Sequence, residues 1–299
     1  MTNTFIPEHE VYGFLSAVGI KTPRYYFVDD EARVADAPFV SGDPVVLKGI
    51  ARDLWHKSEA GALAFCDFDA AAVASMHGRM REQVGQSHEW LGTLVEERVE
   101  FKRAGNAPSE IFVSLQRDQC CGAIVSVGFG GLLTEDWARE LKQSLLVWPV
   151  SAYTPQEAFE ELSGHWLGKI LFGKLRQEKP LLTSESLLGF LEKLWKLDEL
   201  MAREQLGLLE MNPLVVDSAG DIVALDGVGL RAAEASPEPC PVPFQDDSFL
   251  KPRRIAVAGV SAKAGNVGGM ILENLRHSTL TEEGLLVIKP GIDSFAGVR

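Results

Sequence analysis

The sequence predicts an α/β protein that is divided into two parts of unequal size. Short apolar runs typical of buried strands, such as residues 44–48, alternate with segments in which apolar residues recur at helical spacing, such as residues 186–204. A proline-rich segment, residues 233–249, separates the last fifty residues from the rest. These observations favour a large mixed domain, a semi-rigid connector and a small second domain.

The composition excludes several classes of protein. The chain has 299 residues and a net charge of −13, the wrong sign for general binding to nucleic acid or to an anionic membrane. Its apolar runs are far shorter than the roughly 20 residues of a membrane span, and its start lacks a signal-peptide pattern. The four cysteines have neither zinc-site spacing nor the density of a disulfide scaffold. We therefore expect a cytoplasmic protein with reduced thiols.

The charge changes sign near the C-terminal end of the sequence. Residues 250–299 contain seven basic and four acidic residues, a net charge of +3, so the preceding residues carry −16. The alternating prolines lie just before this change and favour an extended connector. We place the two domains at residues 1–232 and 250–299, with residues 233–249 as the linker.

The first part begins with a predicted helix, because four apolar residues at helical spacing precede Gly19. A further helical face is predicted over residues 73–84. Strands are predicted at residues 24–28, 44–48, 93–99, 110–116 and 122–127.

A capping box at Thr154, followed by a proline, begins the next predicted helix. We expect this helix to turn four apolar side chains inward, those of Phe159, Leu162, Trp166 and Ile170. A long amphipathic helix then covers residues 186–204. Two strand patterns follow at residues 208–216 and 222–225, joined by a turn of hairpin composition.

This hairpin brings oxygen-bearing side chains together. Glu210 and Asn212 are two residues apart on one strand and share a face, and the turn sets Asn212 opposite, or within one residue of, Asp226. Two carboxylates and an amide suit Mg²⁺, which is usually held by one or two carboxylates and by substrate phosphates. The alternative is a solvated hairpin in which the Asn-Pro step only turns the chain.

Other residues are weaker candidates for contacts with a phosphate or a nucleotide. Lys48 ends a predicted strand, where a lysine contacts phosphate or is simply solvated. Glycines at positions 128, 130 and 131 allow backbone amides to approach a phosphate, or form a tight turn. Glu96 and Glu97 lie together in another predicted strand. The Glu97 carboxylate there can bind a ribose or an adenine edge. The alternative is an ordinary pair of surface acids, which are common.

His56 is the histidine with the most suggestive neighbours. It lies between Arg52 and Lys57, in a loop that also contains Ser58 and Gly61. Cationic and hydroxyl neighbours would stabilise a transiently phosphorylated imidazole. The alternative is an ordinary exposed loop histidine.

The second part starts with a buried-strand pattern at residues 254–259. A glycine loop follows, which contains Gly259, Ser261, Gly265 and Gly268, and then a helix begins. Strand, glycine loop and helix N-terminus in that order form a phosphate-binding arrangement. The spacing differs from the strict dinucleotide pattern, and only one further strand, around Val287 and Ile288, follows.

Taken together, the sequence resembles the NDP-forming acyl-CoA synthetases, which are relatives of succinyl-CoA synthetase. In that family an ATP-grasp domain can precede a Rossmann-like CoA-binding domain and a ligase domain. The matching stretches, in order, are residues 45–48 (VVLK), 54–58 (LWHKS), 94–97 (LVEE), 128–131 (GFGG), 209–214 (LEMNPL), 224–227 (ALDG) and 259–268. The resemblance implies an ATP-grasp fold followed by an incomplete Rossmann-like domain.

The resemblance also implies roles for the candidate residues. Lys48 would contact nucleotide phosphates, as would the glycine loop of Gly128, Gly130 and Gly131. The adenine and ribose pocket would include Glu97 and the following backbone as far as Val99. The implied Mg²⁺ ligands are Glu210, Asn212 and Asp226, and the CoA phosphate loop contains Gly259, Ser261, Gly265 and Gly268.

By the same resemblance, His56 would relay a phosphoryl group between ATP and a histidine of the ligase domain. The implied reaction is carboxylic acid + CoA + ATP ⇌ acyl-CoA + ADP + phosphate, through acyl-phosphate and phosphohistidine intermediates. The ligase domain lies outside this sequence, so we expect it on a longer chain or a partner subunit, with a possible oligomer.

Three differences from the family pattern bear on this interpretation. Residues 143–148 are mostly apolar where the family has an acidic-then-arginine stretch, and Glu59 and Ala62 replace the usual Asp and Gly. The third difference is that the ligase domain of the family lies outside this sequence. Two other functions remain open: a non-catalytic module that senses nucleotide and CoA, and an ATP-grasp carboxylate–amine ligase.

Overall fold

The computed structural model divides the chain into two compact units, Met1–Pro239 and Cys240–Arg299. It describes residues 4–52, 54, 57, 59–118, 122–140, 144–175, 179–232, 252–261, 263, 266–276, 284–291, 294, 295, 297 and 298. The predicted linker, residues 233–249, lies outside the described residues, and the domain boundaries stay a prediction. None of the described helices is both long and apolar enough to cross a membrane.

The first unit alternates strands and helices along the chain. Its strands are β1 (Thr4–Ile6), β2 (Tyr25–Val28), β3 (Pro44–Ala51), β4 (Leu63–Asp67), β5 (Trp90–Glu97), β6 (Ile111–Asp118), β7 (Gly122–Phe129), β8 (Leu145–Pro149), β9 (Leu206–Val216), β10 (Ile222–Ala224) and β11 (Gly227–Arg231). Its helices are α1 (Glu8–Ala17), α2 (Ala70–Val84), α3 (Thr134–Glu140), α4 (Pro155–Gly164), α5 (Trp166–Leu171) and α6 (Ser184–Arg203), with a 3-10 helix at Glu31–Asp36.

These strands form two antiparallel sheets. The large sheet has the order β1-β11-β9-β6-β7-β8, with β10 also paired to β9, and the small sheet has the order β2-β5-β3-β4. Helices α1, α4, α5 and α6 contribute apolar side chains to the core of the large sheet. One face of the small sheet packs with α2, through residues such as Val45, Leu47 and Val73. The opposite face of the small sheet carries Lys48 and Glu96, next to Ile50 and Leu94, which belong to the core of the large sheet.

Most predicted elements of the first unit are confirmed, with corrections at Lys48 and Trp166. Lys48 lies inside β3 rather than at its end, because β3 continues to Ala51 with partners on β5. Trp166 is 61% exposed and does not face the core. The reason is His165, whose extended backbone ends α4 and whose side chain caps the separate helix α5, so the helical period is broken before Trp166. Strands β1, β4, β8 and β11 were not predicted.

The second unit contains the predicted strand, loop and helix. Strand β12 (Ile255–Ala258) pairs in parallel with β13 (Leu285–Ile288), and helix α7 (Val267–Arg276) lies between them in sequence. Val257, Val260, Leu272 and Leu285 form its small core. This strand–helix–strand order agrees with the predicted start of a Rossmann-like domain, which stays a prediction.

Candidate nucleotide site

The hairpin of β9 and β10 places Asp226 opposite Asn212. The register pairs Ala224 with Leu214 on one side and Gly227 with Met211 on the other, so residues 226 and 212 oppose each other between them. The turn forms as predicted, since the Asp217 carboxylate accepts hydrogen bonds from the backbone N–H groups of Gly220 and Asp221. The predicted opposition of Asn212 and Asp226 is therefore confirmed. The predicted metal role of Glu210, Asn212 and Asp226 stays a prediction.

Asn212 also joins the hairpin to the glycine loop. Its Oδ1 accepts a hydrogen bond from the Gly131 N–H at 2.7 Å, and its Nδ2 lies 3.3 Å from Thr134 Oγ1. Tertiary structure thus brings together two motifs that are about eighty residues apart in sequence. The glycine loop and the hairpin form one continuous polar site.

The glycines of this loop have a packing role in addition to any role toward phosphate. A Cβ at Gly130 would lie 2.5 Å from the backbone carbonyl carbon and oxygen of Ile111, and Gly131 has a φ of +86°. The loop therefore passes too close to β6 for a larger residue at position 130. Both the turn and the phosphate interpretation of these glycines remain compatible with this geometry.

We predict that Gly130→Ala lowers the free energy of unfolding by about 1–3 kcal/mol, because the new methyl group meets backbone that cannot rotate away. The matched control is Gly189→Ala in α6, where nothing lies within 4 Å of the added Cβ. That change should stabilise the helix by about 0.5–1 kcal/mol. Urea unfolding followed by tryptophan fluorescence measures both effects, and equal midpoints for the two variants would contradict the packing role.

Lys48 occupies the centre of a buried charged cluster. Its Nζ lies 2.7 Å from Glu8 Oε1 and 2.8 Å from Glu96 Oε2, and it also donates to the Leu225 carbonyl oxygen. Its side chain is only 7% exposed. Burial opposes the charged form, but the carboxylates of Glu8 and Glu96 outweigh burial and raise the Lys48 pKa. Lys48 therefore remains an ammonium group at neutral pH.

Lys57 is the second buried cation of this cluster. Its Nζ lies 2.7 Å from Asp226 Oδ1 and 3.1 Å from Glu8 Oε2. Burial disfavours ionisation of Asp226, but the ammonium groups of Lys57 and Lys48 outweigh burial and lower the Asp226 pKa. The cluster thus links α1, the small sheet and the hairpin of the large sheet through ion pairs.

The cluster contains three carboxyl groups and two ammonium groups. Burial raises the pKa of Glu96 from 4.5 to about 8, although the Lys48 ammonium opposes this shift. A proton on Glu96 at pH 7 leaves two carboxylates opposite two ammonium groups. This balance is the arrangement that least penalises a buried set of charges.

The raised pKa of Glu96 predicts a dependence of stability on pH. The native state keeps a proton that the unfolded state releases between pH 4.5 and about 8, so the free energy of unfolding should fall as the pH rises through this window. The slope contributed by this one proton reaches at most about 1.4 kcal/mol per pH unit. Glu96→Gln should remove this contribution, which urea unfolding at pH 6, 7 and 8 tests. Parallel stability curves for the two proteins would contradict it.

Glu97 points away from this cluster. It pairs across the sheet with Val45, whose side chain is in the core beside α2, so it lies on the opposite face from Lys48. Its carboxylate accepts a hydrogen bond from the Arg24 N–H and is 44% exposed. Val99 is half-buried beyond the end of β5. The predicted roles of Glu97 and Val99 at adenine and ribose stay predictions.

The side-chain oxygens of Glu210, Asn212 and Asp226 are the type of ligand that binds Mg²⁺. Burial and the charge of Asp226 raise the pKa of Glu210, so these two carboxyl groups lie close enough to interact, and a divalent cation would offset their repulsion. Among the described residues, no group of three His, Cys, Asp or Glu side chains is arranged to hold a metal. The predicted Mg²⁺ set would therefore need Asn212 and substrate oxygens in addition to Glu210 and Asp226.

Two predicted site residues, His56 and Gly265, lie outside the described residues. The described part of the predicted CoA loop is held together by Asn266, a residue that was not predicted from the sequence. Asn266 Oδ1 accepts hydrogen bonds from the N–H groups of Ser261 and Gly269, both at 2.8 Å. A Cβ at Gly268 would lie 2.9 Å from the Gly259 backbone, so loop and helix are in close contact.

Glu8 and Lys57 were not predicted as site residues. Lys57 could have been identified from the sequence because it directly follows His56. Glu8 had no comparable signal, since an acidic residue in the first turn of a helix is common. Only the tertiary structure places Glu8 between two lysines.

The first unit is an α/β domain of two antiparallel sheets with a buried charged cluster. The chain belongs to the ATP-grasp domain family, whose model matches residues 2–228. This confirms the fold predicted for the first part. The match does not extend over the second unit.

Similar proteins are acyl-CoA synthetases. An ADP-forming acetate–CoA ligase II from Archaeoglobus fulgidus is 25% identical over 272 residues, which cover 91% of this chain and 37% of the relative. A trans-feruloyl-CoA synthase from an unknown prokaryotic organism is 28% identical over 231 residues, covering 75% of this chain and 30% of the relative. The chain therefore spans about a third of the length of these curated relatives.

Solved structures support the same fold. Acetyl-coenzyme A synthetase 1 of Ca. Korarchaeum cryptofilum, in complex with coenzyme A and Ca-AMPCP, superposes with a TM-score of 0.61 at 21% identity. The superposition covers 77% of this chain and 94% of the solved chain. At this level of identity the similarity establishes the fold.

Proposed function

We propose that this chain is the nucleotide-binding and phosphoryl-relay part of an ADP-forming acyl-CoA synthetase. The observation that carries the proposal is the convergence of Lys48, Lys57, Asp226, Asn212 and the glycine loop at one site in an ATP-grasp domain. The names of the two relatives support this choice of reaction. ATP is the proposed nucleotide and a small carboxylic acid the proposed acyl donor.

In this proposal, each group acts on the nucleotide according to its chemistry. The ammonium groups of Lys48 and Lys57 attract the phosphates, and the amides of Gly128, Gly130 and Gly131 donate to phosphate oxygens. Glu97 and the backbone as far as Val99 line the adenine and ribose pocket. Mg²⁺, held by Glu210, Asn212 and Asp226, would neutralise phosphate charge when bound.

The proposed relay step transfers the γ-phosphoryl group of ATP to His56. A ring nitrogen of His56 forms a bond to the γ-phosphorus, and the bond from this phosphorus to the β–γ bridging oxygen breaks. The bonding electron pair leaves with ADP, and the imidazole releases a proton to water. Positioning and charge neutralisation supply most of the catalysis in such transfers.

The remaining steps need a ligase domain, on a longer chain or a partner subunit. Phosphohistidine at position 56 passes the phosphoryl group to a histidine of that domain and from there to the carboxylic acid. The acyl phosphate then reacts with the CoA thiol, forming the thioester and releasing phosphate. We propose that Gly259, Ser261, Gly265 and Gly268 contact CoA phosphates, in a domain of residues 250–299 that follows the linker of residues 233–249.

Two assays on the 299-residue chain test this proposal. Calorimetric titration with ATP and Mg²⁺ should show binding at one site, and incubation with γ-labelled ATP should label the protein. The label should resist alkali and be lost in acid, as expected for a phosphoramidate, and α-labelled ATP should give none. A folded chain that binds no ATP would contradict the proposal.

The same assays distinguish the other two functions. A nucleotide-sensing module would bind ATP without being labelled. A carboxylate–amine ligase would form ADP with an amine acceptor and without CoA. For the full-length protein that contains this chain, the proposed function requires ADP formation that depends on both the acid and CoA.

A further inference from the structure

Strand β8 (Leu145–Pro149) forms one edge of the large sheet. Within the described residues it pairs with β7 on one side, and the order of the sheet ends there. Leu146 and Trp148 turn their side chains into the core, whereas Leu145 is 41% exposed and Val147 is 50% exposed. The strand contains no charged residue, so it lacks the charges that usually keep another strand away from the edge of a sheet.

The hydrogen-bond pattern shows which backbone groups of β8 point outward from this edge. The Val150 N–H donates to the Ala123 carbonyl oxygen at 2.9 Å, in register with the pairing of β7 and β8. Hydrogen-bonded pairs alternate along an antiparallel ladder, so the even-numbered residues of β8 bond to β7. The N–H and C=O groups of Leu145 and Val147 therefore point away from the sheet. Pro149, the third outward position, has no N–H to donate.

An identical strand from a second copy of the chain fits this edge. In an antiparallel pair centred on Leu146, two-fold symmetry places Leu145 of each copy opposite Val147 of the other. Both outward N–H groups of each copy then donate to outward carbonyl oxygens of the other copy. Each exposed leucine also lies beside an exposed valine, which is a favourable cross-strand pair. The outward side of β8 is thus complementary to itself.

Charge and area favour a second copy as the occupant and limit the strength of the contact. An uncharged strip offers an oppositely charged partner nothing to bind, whereas two copies that carry −16 over residues 1–249 can meet only through uncharged surface. Leu132 and Leu133, which follow the glycine loop, are 93% and 53% exposed and extend the apolar area. Five strand residues and two leucines still bury less than the roughly 800 Å² per partner of a standard interface. We therefore expect a weak dimer.

We propose that two copies of this chain associate through antiparallel pairing of their β8 strands, which joins their large sheets into one continuous sheet. The contact requires neither nucleotide nor the second unit, so it goes beyond the proposed function and does not depend on it. Backbone hydrogen bonds and apolar contact hold the dimer together, while the net charge of the chain opposes it. Because salt screens this repulsion, added salt should strengthen the association.

Analytical ultracentrifugation of the 299-residue chain over a range of concentrations tests this proposal. Wild type should show a monomer–dimer equilibrium with a dissociation constant on the order of 100 μM, smaller at high salt than at low salt. Val147→Lys brings two like charges close to the two-fold axis and should weaken the dimer at least about tenfold. Val40→Lys is the matched control, since Val40 is 69% exposed in a loop before β3, and this variant should dimerise like wild type.

Val147→Pro separates strand pairing from simple apolar contact. Proline keeps an apolar side chain and removes an N–H that points outward, so the bonds to β7 remain and the dimer should weaken as it does in Val147→Lys. Hydrogen exchange followed by mass spectrometry locates the contact, because the peptide that contains β8 should exchange more slowly in concentrated than in dilute wild-type protein.

Leu145→Lys replaces either variant of position 147 that fails to fold, as judged by circular dichroism, and should weaken the dimer to the same extent. A wild-type chain that stays monomeric up to about 500 μM would overturn the proposal. A dimer that persists in a folded variant of position 147 or 145 would also overturn it, since the contact would then lie elsewhere. Equal weakening in Val40→Lys and Val147→Lys would have the same meaning, because it indicates a general effect of added charge.

Discussion

Replacing His56 by asparagine is expected to abolish labelling of the chain by γ-labelled ATP while ATP still binds. Asparagine is polar and of similar size, but its amide nitrogen is not nucleophilic and cannot carry the phosphoryl group. The nucleotide contacts proposed for Lys48, the glycine loop and the hairpin do not involve the imidazole. The rate of labelling should therefore fall to background, and the calorimetric dissociation constant should stay within about twofold, or roughly 0.4 kcal/mol.

The control for this prediction is His88→Asn. His88 lies in the loop between α2 and β5, and we assign it no chemistry. Labelling of this variant at the wild-type rate shows that loss of a histidine does not by itself stop the reaction. If His56→Asn is labelled as rapidly as wild type, another residue accepts the phosphoryl group and the relay role of His56 is wrong.

Replacing Lys48 by methionine is expected to cause the largest loss of stability in the first unit. Methionine fills the space of the lysine stem, but Glu8 and Glu96 lose their shared ammonium group, and the Leu225 carbonyl oxygen loses a donor. Removal of one partner from a buried ion pair typically costs about 3–5 kcal/mol. ATP binding should weaken as well, because the proposed phosphate contact is lost.

Urea unfolding followed by tryptophan fluorescence measures this loss in the first unit alone, since all six tryptophans precede residue 233. The control is Lys21→Met, because the Lys21 ammonium pairs with Asp221 and Asp217 while its side chain is 50% exposed. Loss of that surface pair should cost about 1 kcal/mol or less. Equal losses in the two variants would show that the buried cluster contributes no more than a surface contact.

A double variant separates the contact between Lys48 and Glu96 from the rest of the cluster. Glu96→Gln in the Lys48→Met background removes a carboxyl group that has already lost its partner. The second substitution should then be less destabilising than it is in wild type, or even stabilising, with a coupling of about 1–3 kcal/mol. Additive losses would mean that the two side chains do not interact energetically.

Local patterns of the sequence were sufficient for most helices and strands. The capping box at Thr154 is present, with Thr154 and Glu157 bonded to each other's backbone N–H groups. The hairpin turn was equally predictable, because Asp217 and Gly220 act through contacts within four residues. The exposed Trp166 is the instructive exception, since one extended residue, His165, ends a helical period that apolar spacing alone would continue.

The sequence by itself determined the local chemistry of this protein: the order of strands and helices, the hairpin that sets Asp226 opposite Asn212, and motifs that resemble the acyl-CoA synthetases. These features depend on neighbours in the chain, so spacing and residue type suffice to predict them. The tertiary structure decided which distant charges meet. Glu8, Lys48, Lys57, Glu96 and Asp226 are spread over more than two hundred residues. They form one cluster because packing the small sheet and α1 against the large sheet excludes water, and buried charges are stable only where they pair.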